Sequence, residues 1–421
     1  MKYYAPKGLS DVLPEETPYW HAVEGEVRSA MSSYNYREIR TPMMEKTEVF
    51  ARGVGEDTDV VSKEMYTFDD KGGRSMTLRP ENTASVVRAY LEHKFFGKEE
   101  LSKWYYVGPM FRYEAPQKGR SRQFHQYGAE AIGSDDPALD AELITLAIDI
   151  LTSLGLEDVG LKLNSIGCPA DREDYIEELV SYLEPKQEGL CADCQERLTT
   201  NPLRILDCKN ETCQEIVKDG PVMTDHLCED CQVHFDEVKS YLGELEVDYV
   251  IEPKLVRGLD YYTKTVFEVF SEDLGAQDAL VGGGRYDGLV ELFGGEPTPA
   301  VGFAGGIERL VLLLEELERV SHSGKGLDLY VATIDEESKK VAVKIQRELR
   351  KVGLITEVDY LGKSLQGQLG YADRYDAKYT AILGPRELED DELTLRNMES
   401  GDQIKVSLDN YVEDIGKRIT D

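Results

Sequence analysis

The spacing of apolar residues along the chain changes twice, and the changes predict three regions. After Pro14, apolar residues recur at three- and four-residue spacing, which is typical of a helix with one buried face. These residues are Trp20, Val23, Val27, Met31 and Tyr34. Residues 103–108 and 124–132 predict two strands joined by a polar Pro/Gly loop, and residues 142–154 predict a helix. The first region is therefore expected to be an antiparallel sheet flanked by helices.

Residues from about 165 to 245 interrupt this sheet pattern. They are predicted to be helical, are charged, and contain all seven cysteines. The strand pattern resumes at 248–251 and 265–270. Residues 1–325 are therefore expected to form one α+β domain that carries a helical, cysteine-containing insertion.

The last part of the chain has a different pattern. After the small polar residues 321–326, strand and helix signals alternate from residue 328 to residue 383. An apolar stripe on the helix predicted at 336–352 indicates that this helix covers one face of a sheet. The stripe consists of Val341, Ile345, Leu349 and Val352. Residues 326–421 are therefore predicted to be a separate α/β domain.

The charge balance is strongly acidic, with 81 acidic and 48 basic residues and a net charge of −33. Taken alone, this balance argues against nucleic acid as a partner, because Lys and Arg drive phosphate binding. The N-terminus lacks the apolar core of a signal peptide and no stretch suits a membrane span, so a cytoplasmic location is expected. Residues 101–129 are an exception to the acidity, because they hold one acid, Glu114, and five basic residues. These basic residues, where phosphate should bind first, are Lys103, Arg112, Lys118, Arg120 and Arg122.

Two short segments combine a cation, tyrosines and glycines. They are residues 256–263, with Arg257, and residues 282–289, with Arg285. This combination suits an anionic, partly aromatic small molecule held against exposed main chain.

Two further segments carry arginines that could meet phosphate. In residues 111–126, Arg112 and Phe124 lie at facing strand ends, where a guanidinium can bind phosphate oxygens and a phenyl ring can stack on a purine. In residues 300–310, a glycine turn leads into a helix whose first turn carries Arg309, and both the helix N-terminus and the cation favour phosphate. The plain alternatives are a basic hairpin with a core phenylalanine and a common strand–helix junction.

Together these segments resemble the histidyl-tRNA synthetases over essentially the whole chain. Residues 111–126 and 300–310 are similar to motifs 2 and 3 of class II aminoacyl-tRNA synthetases, and residues 41–68 are similar to motif 1, the dimer interface of that class. Residues 256–263 and 282–289 are similar to the histidine-specific signatures. The resemblance implies a homodimer with a class II catalytic domain and a C-terminal anticodon-binding domain.

The resemblance also implies a reaction and its residues. L-Histidine would be activated with ATP and Mg²⁺, and the histidyl group passed to the 3′ end of tRNA(His). Glu81, Thr83 and Gln126 would hold the histidine ammonium, Glu130 and Tyr262 the imidazole nitrogens, and Tyr261 and Tyr286 would line the pocket. Phe124 would stack on adenine, Arg112 and Arg257 would flank the α-phosphate beside the histidine, and Arg309 would hold the γ-phosphate.

Two positions depart from the family pattern. Asn82 stands where glycine is usual, and its side chain is expected to point outward. Ala115 stands where bacterial members usually carry an arginine that contacts the tRNA acceptor end. That contact is then expected to depend on Gln117, Lys118 or Arg120.

The cysteines occur as Cys191-x-x-Cys194, Cys208-x₄-Cys213 and Cys228-x-x-Cys231, with Cys168 apart. In a cytoplasmic chain, such close pairs favour Zn²⁺ over disulfides. Spacing favours one structural Zn²⁺ held by Cys191, Cys194, Cys228 and Cys231, although the Cys208/Cys213 pair could replace either of the other pairs. Unligated thiols are the alternative.

The main rival function is a synthetase-like regulatory subunit of histidine biosynthesis, which binds histidine without aminoacylation. Such paralogues lack the C-terminal domain and tend to lose the adenylating residues. This chain keeps Arg112, Arg257 and Arg309, and it has about 95 residues after the linker. A pure RNA-binding module fits poorly with so acidic a chain.

Overall fold

The chain divides into two compact units, residues 1–320 and 321–421. The computed structural model describes residues 3–55, 58–117, 119–271, 279–317 and 326–420. The predicted linker, apart from Gly326, lies outside the described residues, so the boundary predicted at residue 325 stays a prediction. None of the described helices is both long and apolar enough to cross a membrane.

The described residues of the first unit contain eleven strands in two sheets. They are β1 Arg37–Glu38, β2 Met44–Lys46, β3 Tyr66–Asp69, β4 Ser75–Leu78, β5 Ser102–Phe111, β6 Gln123–Ile132, β7 Gly160–Ser165, β8 Val250–Ile251, β9 Thr263–Phe270, β10 Ala279–Arg285 and β11 Ala300–Gly306. The large sheet has the order β1-β5-β6-β11-β10-β9-β7-β8, and the small sheet has the order β2-β4-β3.

The interior of the large sheet is antiparallel, as predicted, and only its edge pairs β1–β5 and β7–β8 are parallel. The predicted hairpin is β5 and β6, with Ser102 opposite Ile132 at one end and Phe111 opposite Gln123 at the other. Successive side chains of β6 alternate between the two faces of the sheet. Tyr127 and Ala129 therefore join the main apolar core, and Gln126 and Glu130 face the other side.

Ten α-helices accompany these sheets in the part of this unit that the structure describes. They are α1 Thr17–Ser33, α2 Thr47–Val54, α3 Thr83–Glu92, α4 Pro137–Ser153, α5 Pro169–Leu183, α6 Ala192–Thr200, α7 Glu211–Lys218, α8 Glu229–Glu244, α9 Leu289–Leu292 and α10 Ile307–Glu316.

Helices α1, α4 and α10 cover the core face of the large sheet. The predicted stripe of α1 is largely confirmed, although the helix starts at Thr17 and buries Tyr19 more fully than Trp20. Helix α4 begins five residues before the predicted start because the Asp136 side chain accepts the amide N–H of Ala138 at 2.9 Å and caps the first turn.

The predicted insertion is confirmed as helical and consists of α5 to α8 with short 3₁₀ turns. It has an apolar cluster of its own, which includes Tyr175, Leu179 and Cys213. Helix α8 differs from the rest because its apolar face packs on α4 and joins the main core. The residues of this face are Phe235, Val238 and Leu242.

The second unit is a five-stranded sheet of order β13-β12-β14-β15-β16 with helices around it. Its elements are β12 Leu329–Thr333, α11 Glu336–Lys351, β13 Thr356–Val358, α12 Leu365–Arg374, β14 Tyr379–Leu383, α13 Pro385–Glu389, β15 Glu392–Asn397, β16 Gln403–Ser407 and α14 Tyr411–Thr420. The alternating part is confirmed, and an antiparallel hairpin of β15 and β16 extends it. The predicted stripe of α11 is partly wrong, because Val352 is exposed and Ala342 is buried in its place.

Candidate active site

The face of the large sheet opposite the main core forms the floor of one cavity of about 1110 Å³, including its open mouth. All eleven residues assigned above to histidine and ATP line this cavity, although they come from six separate stretches of sequence. They are Glu81, Thr83, Arg112, Phe124, Gln126, Glu130, Arg257, Tyr261, Tyr262, Tyr286 and Arg309.

Glu130 is the most enclosed of the acidic groups in the cavity, with 1% of its surface exposed. Its Oε1 accepts hydrogen bonds from the hydroxyls of Thr83 at 2.6 Å and Tyr106 at 3.3 Å, and its Oε2 accepts from the hydroxyl of Tyr286. Three hydroxyl donors fix the carboxyl group without adding a positive charge. Burial consequently raises the pKa of Glu130 to about 8.

This raised pKa predicts that Glu130→Gln stabilises the protein at alkaline pH. Because the pKa of Glu130 lies above its ordinary value of 4.5, its contribution to stability is complete below that value and is lost as pH rises through about 8. Glutamine stays neutral throughout. The difference in Tm, variant minus wild type, should therefore increase between about pH 5 and about pH 8.5 in thermal unfolding experiments.

Glu81→Gln is the matched control. Both Glu81 oxygens accept backbone amides, from Thr83 at 2.6 Å and from Ala84 at 3.0 Å, at the start of α3. An amide nitrogen in place of either oxygen would face an N–H donor, so this variant should lose stability at every pH. A Tm difference for Glu130→Gln that does not change with pH would contradict the prediction.

Glu81 and Gln126 offer acceptors to the same cavity. Burial raises the pKa of the Glu81 carboxyl, and the two helix amides offset part of that rise. The side-chain oxygen of Gln126 is buried, and no described residue donates a hydrogen bond to it. Such an acceptor is costly unless a ligand supplies a donor.

Three tyrosines form an aromatic wall of the cavity. The ring of Tyr261 lies 4.6 Å from that of Tyr262 and 5.5 Å from that of Tyr286. The insertion contacts this wall, since the guanidinium of Arg172 on α5 donates to the main-chain carbonyl of Tyr262 at 3.2 Å.

Gly282 and Gly302 line the cavity, although both are buried and the main chain predicted to be exposed at Gly282 is covered. A Cβ at Gly282 would lie 1.8 Å from Nη2 of Arg257, and a Cβ at Gly302 would lie 1.8 Å from Oε2 of Glu130. These glycines therefore make room for functional side chains. Arg257 is also held by Glu268, with Nη1 donating to Oε2 at 2.8 Å.

Arg112, Phe124 and Arg309 also line the cavity. The Arg112 guanidinium is 5.3 Å from the centre of the Phe124 ring, and its Nε donates to the carbonyl of Pro80 at 2.9 Å. Arg309 belongs to the first turn of α10, which begins directly after β11, and its guanidinium donates to the carbonyl of Ala279.

Arg285 does not serve as a ligand cation, contrary to the prediction for its segment. It is fully buried and forms an ion pair with Asp140, and it also donates to the carbonyl of Ser134 at 2.9 Å. Burial alone would raise the pKa of Asp140, but the adjacent guanidinium holds it below its ordinary value. Arg285 therefore anchors the strand that presents Tyr286.

The basic residues between 101 and 129, where phosphate is expected to bind first, do not form one patch. Arg112 and Arg120 line the cavity. Lys103 instead pairs with Glu142 at 2.7 Å, and Arg122 lies 3.7 Å over the ring of Tyr113. Lys118 lies outside the described residues.

Two smaller predictions have different outcomes. Asn82 does not point outward: it is fully buried, and its Oδ1 accepts from the hydroxyl of Thr41 at 2.6 Å. The contact with the tRNA acceptor end stays a prediction. Of the three residues expected to make it, Arg120 pairs with Glu114 at 3.2 Å.

Tyr106 is a cavity residue that the sequence analysis missed. It lies opposite Gly128 in the β5–β6 ladder, and a Cβ at Gly128 would come within 2.5 Å of its hydroxyl. Strand alternation is the signal that would have found it, because its partner Gly128 shares a face with Gln126 and Glu130.

The prediction that Cys191, Cys194, Cys228 and Cys231 share one zinc ion is wrong, because the two Cys-x-x-Cys pairs belong to different clusters. Cys191 and Cys194 join Cys208 and Cys213, which we call the thiol cluster. Cys228 and Cys231 join Cys168 and Asp171, which we call the mixed cluster. The alternative in which Cys208 and Cys213 take the place of one pair agrees with this arrangement.

Comparison with known proteins agrees with the geometry. A family model described as histidyl-tRNA synthetase matches residues 8–310, and one described as anticodon binding domain matches residues 328–418. The chain is 52% identical to the histidine–tRNA ligase of Halothermothrix orenii over 100% of both chains, and 49% identical to that of Bacillus subtilis over 98% of both. The crystal structure of apo histidyl-tRNA synthetase from S. aureus superposes with a TM-score of 0.83 at 41% identity, covering 98% of this chain and 100% of that one. The predicted fold class is confirmed, and the chain belongs to the histidyl-tRNA synthetase family.

Proposed function

We propose that this protein is a histidine–tRNA ligase that forms histidyl-adenylate from L-histidine and ATP and then charges tRNA(His). The observation that carries the proposal is the separation of chemistry within one cavity. Hydroxyls and tyrosine rings gather around the Glu130 carboxyl group, while Arg309 lies in the first turn of α10. In the β6–β11 ladder Glu130 pairs with Gly302, and α10 begins directly after Gly306. Four residues of strand separate these levels, or about 13 Å, which suits an amino acid joined to a nucleotide.

The histidine end would be selected by hydrogen bonds. The ammonium would lie among Glu81, Thr83 and the free acceptor of Gln126, and the imidazole would lie between Glu130 and Tyr262. An amino acid without two ring nitrogens would leave one of these buried groups without a partner, which is a strong basis for discrimination.

The nucleotide end would be bound by stacking and charge. Adenine would stack on Phe124, Arg112 and Arg257 would flank the α-phosphate, and Arg309 with the N-terminus of α10 would bind the γ-phosphate. Mg²⁺ would enter with ATP and neutralise charge on the departing pyrophosphate. Glu114 and Glu308 line the cavity outside the histidine end and are carboxylates of the kind that Mg²⁺ prefers.

Adenylate formation needs little proton transfer from the protein. A carboxylate oxygen of histidine would attack the α-phosphorus, the bond to the bridging oxygen would break, and pyrophosphate would leave. The histidine carboxylate is already a nucleophile, so positioning and charge stabilisation by Arg112 and Arg257 can account for the rate.

The remaining features of the proposal concern assembly and location. Residues 1–325 would form the catalytic domain and residues 326–421 the anticodon-binding domain for tRNA(His). The protein would act as a homodimer in the cytoplasm, with motif 1 at residues 41–68 in the interface. Zn²⁺ would have a structural role in the insertion and none in the reaction.

The regulatory-subunit alternative predicts histidine binding without chemistry. Histidine-stimulated exchange of pyrophosphate into ATP separates the two functions, because it requires a reversible adenylate. Robust exchange with histidine, and background exchange with the other amino acids, would support the proposal. Histidine binding by calorimetry without exchange would favour the regulatory function.

A further inference from the structure

Two groups of metal-ligating atoms lie in the insertion, and each group forms where helices begin. In the thiol cluster and in the mixed cluster, the ligand atoms all lie within 4.8 Å of one another. We infer that each cluster binds one Zn²⁺, so that the insertion holds two structural zinc ions. This inference does not depend on the proposed function.

The spacing of the sulfurs in the thiol cluster fits a tetrahedral zinc site. Four thiolates at about 2.3 Å from one Zn²⁺ lie about 3.8 Å from each other at the corners of a tetrahedron. Sγ of Cys191 lies 3.8 Å from Sγ of Cys208. Contact between two thiols is ordinary in a protein core, but four sulfurs that are all mutual neighbours surround a common centre.

Helix starts and main-chain N–H donors surround the sulfurs of the thiol cluster. Cys191 is the residue directly before α6 and Cys194 is the third residue of that helix, while Cys213 is the third residue of α7. The amide N–H of Cys191 donates to Sγ of Cys213 at 3.2 Å, and that of Asn210 donates to Sγ of Cys208 at 3.5 Å. Helix N-termini and such N–H donors stabilise negatively charged sulfur.

Burial means that thiolates in the thiol cluster would need a cation beside them. The side chains of Cys194 and Cys213 are inaccessible to solvent, and Cys208 is 8% exposed. Several thiolates at so closed a site would be unstable without a compensating charge. A soft divalent ion with four sulfur ligands and no open position supplies that charge, and Zn²⁺ in such a site is structural.

The mixed cluster repeats this arrangement with two facing helices. Cys168 caps α5 and Asp171 is its third residue, and Cys228 caps α8 and Cys231 is its third residue. Each helix therefore offers the same two positions to a common centre. Asp171 stands where a fourth cysteine would stand, and Zn²⁺ accepts a carboxylate oxygen in that role.

Asp171 is held in place for this role. Its Oδ2 accepts the amide N–H of Cys168 at 3.1 Å, and its Oδ1 accepts the amide N–H of Cys228 at 3.1 Å. The carboxylate thus spans the starts of both helices, and each oxygen keeps a lone pair for a metal. Hydrogen bonds that orient a ligand in this way are usual around bound metals.

Metal analysis of the full-length protein tests the inference. The protein is purified in reducing buffer without chelator, and its metal content is measured by inductively coupled plasma mass spectrometry. We expect two Zn²⁺ per wild-type chain. Cys194→Ser should retain only the ion of the mixed cluster, Cys231→Ser only that of the thiol cluster, and the double variant neither. Thr199→Ser, at an exposed position of α6, is the control and should keep both ions.

A second measurement does not depend on the folding of any variant. Thiol modification of native wild-type protein should release both ions, as detected with a colorimetric zinc chelator. Zinc-free protein with the same Tm as the native preparation would overturn the inference, as would disulfides in place of metal. If the wild-type chain holds a single Zn²⁺, which is lost in Cys194→Ser and kept in Cys231→Ser, the site in the mixed cluster is overturned and the site in the thiol cluster is supported.

Discussion

Replacing Arg257 with alanine is expected to abolish histidyl-adenylate formation while the fold remains intact. Arg257 lines the cavity, lies against the main chain of Gly282 and is held by Glu268 at 2.8 Å. A cation beside the α-phosphate contributes most as charge shifts in the transition state, so the loss should appear in kcat. Pyrophosphate exchange should fall by roughly 10²–10³-fold, the usual cost of removing one such group.

The controls separate the lost cation from an unpaired Glu268. Lys162 contacts the other oxygen of Glu268 at 3.8 Å and does not line the cavity, so Lys162→Ala should retain near-normal exchange. Adding Glu268→Gln to Arg257→Ala should not restore activity if the cation acts on phosphate. Exchange within about threefold of wild type in Arg257→Ala would remove this residue from the mechanism.

Truncation at Gly326 is expected to separate the two half-reactions. All cavity residues lie in the first unit, whereas residues 328–418 match an anticodon-binding domain and have a core of their own. The truncated protein should therefore keep histidine-dependent exchange. Charging of tRNA(His) should fall by at least about 100-fold in kcat/KM, which corresponds to the loss of roughly 3 kcal/mol of tRNA binding.

Two measurements make the truncation decisive. Cooperative thermal unfolding and an unchanged KM for histidine would show that the remaining unit is folded. If charging kinetics then match those of the full chain, the second unit has a purpose other than tRNA binding.

The cavity residues could be predicted because their motifs resemble those of the histidyl-tRNA synthetases, and strand alternation agrees with the resemblance. Gln126 and Glu130 differ by an even number of positions on one strand, so they must share a face. Gly282 and Gly302 have no side chains, so the sequence alone indicates that neighbouring side chains can approach the main chain there. Tyr106 follows from the same alternation once its strand is paired with β6.

Long-range partners could not be predicted in the same way. Arg285 lies in a segment whose composition is typical of a ligand site. Its positive charge is nevertheless neutralised by Asp140, which lies far earlier in the chain. Asn82 is buried because Thr41 lies beside it in space. A Cys-x-x-Cys pair at a helix start fixes two neighbouring ligands, and the packing of other helices decides which residues complete the site.

Because of helix α8, the insertion cannot be deleted in one piece without damage to the main core. Its first turn carries Cys228 and Cys231, while Phe235, Val238 and Leu242 further along fill the core beneath the large sheet. Deleting residues 169–244 would open a void beside α4, so a shortened enzyme would have to retain α8 and rejoin the chain ahead of it. Protease nicking between α7 and α8 should likewise leave the fragments associated, because the cleaved α8 stays anchored by its apolar face.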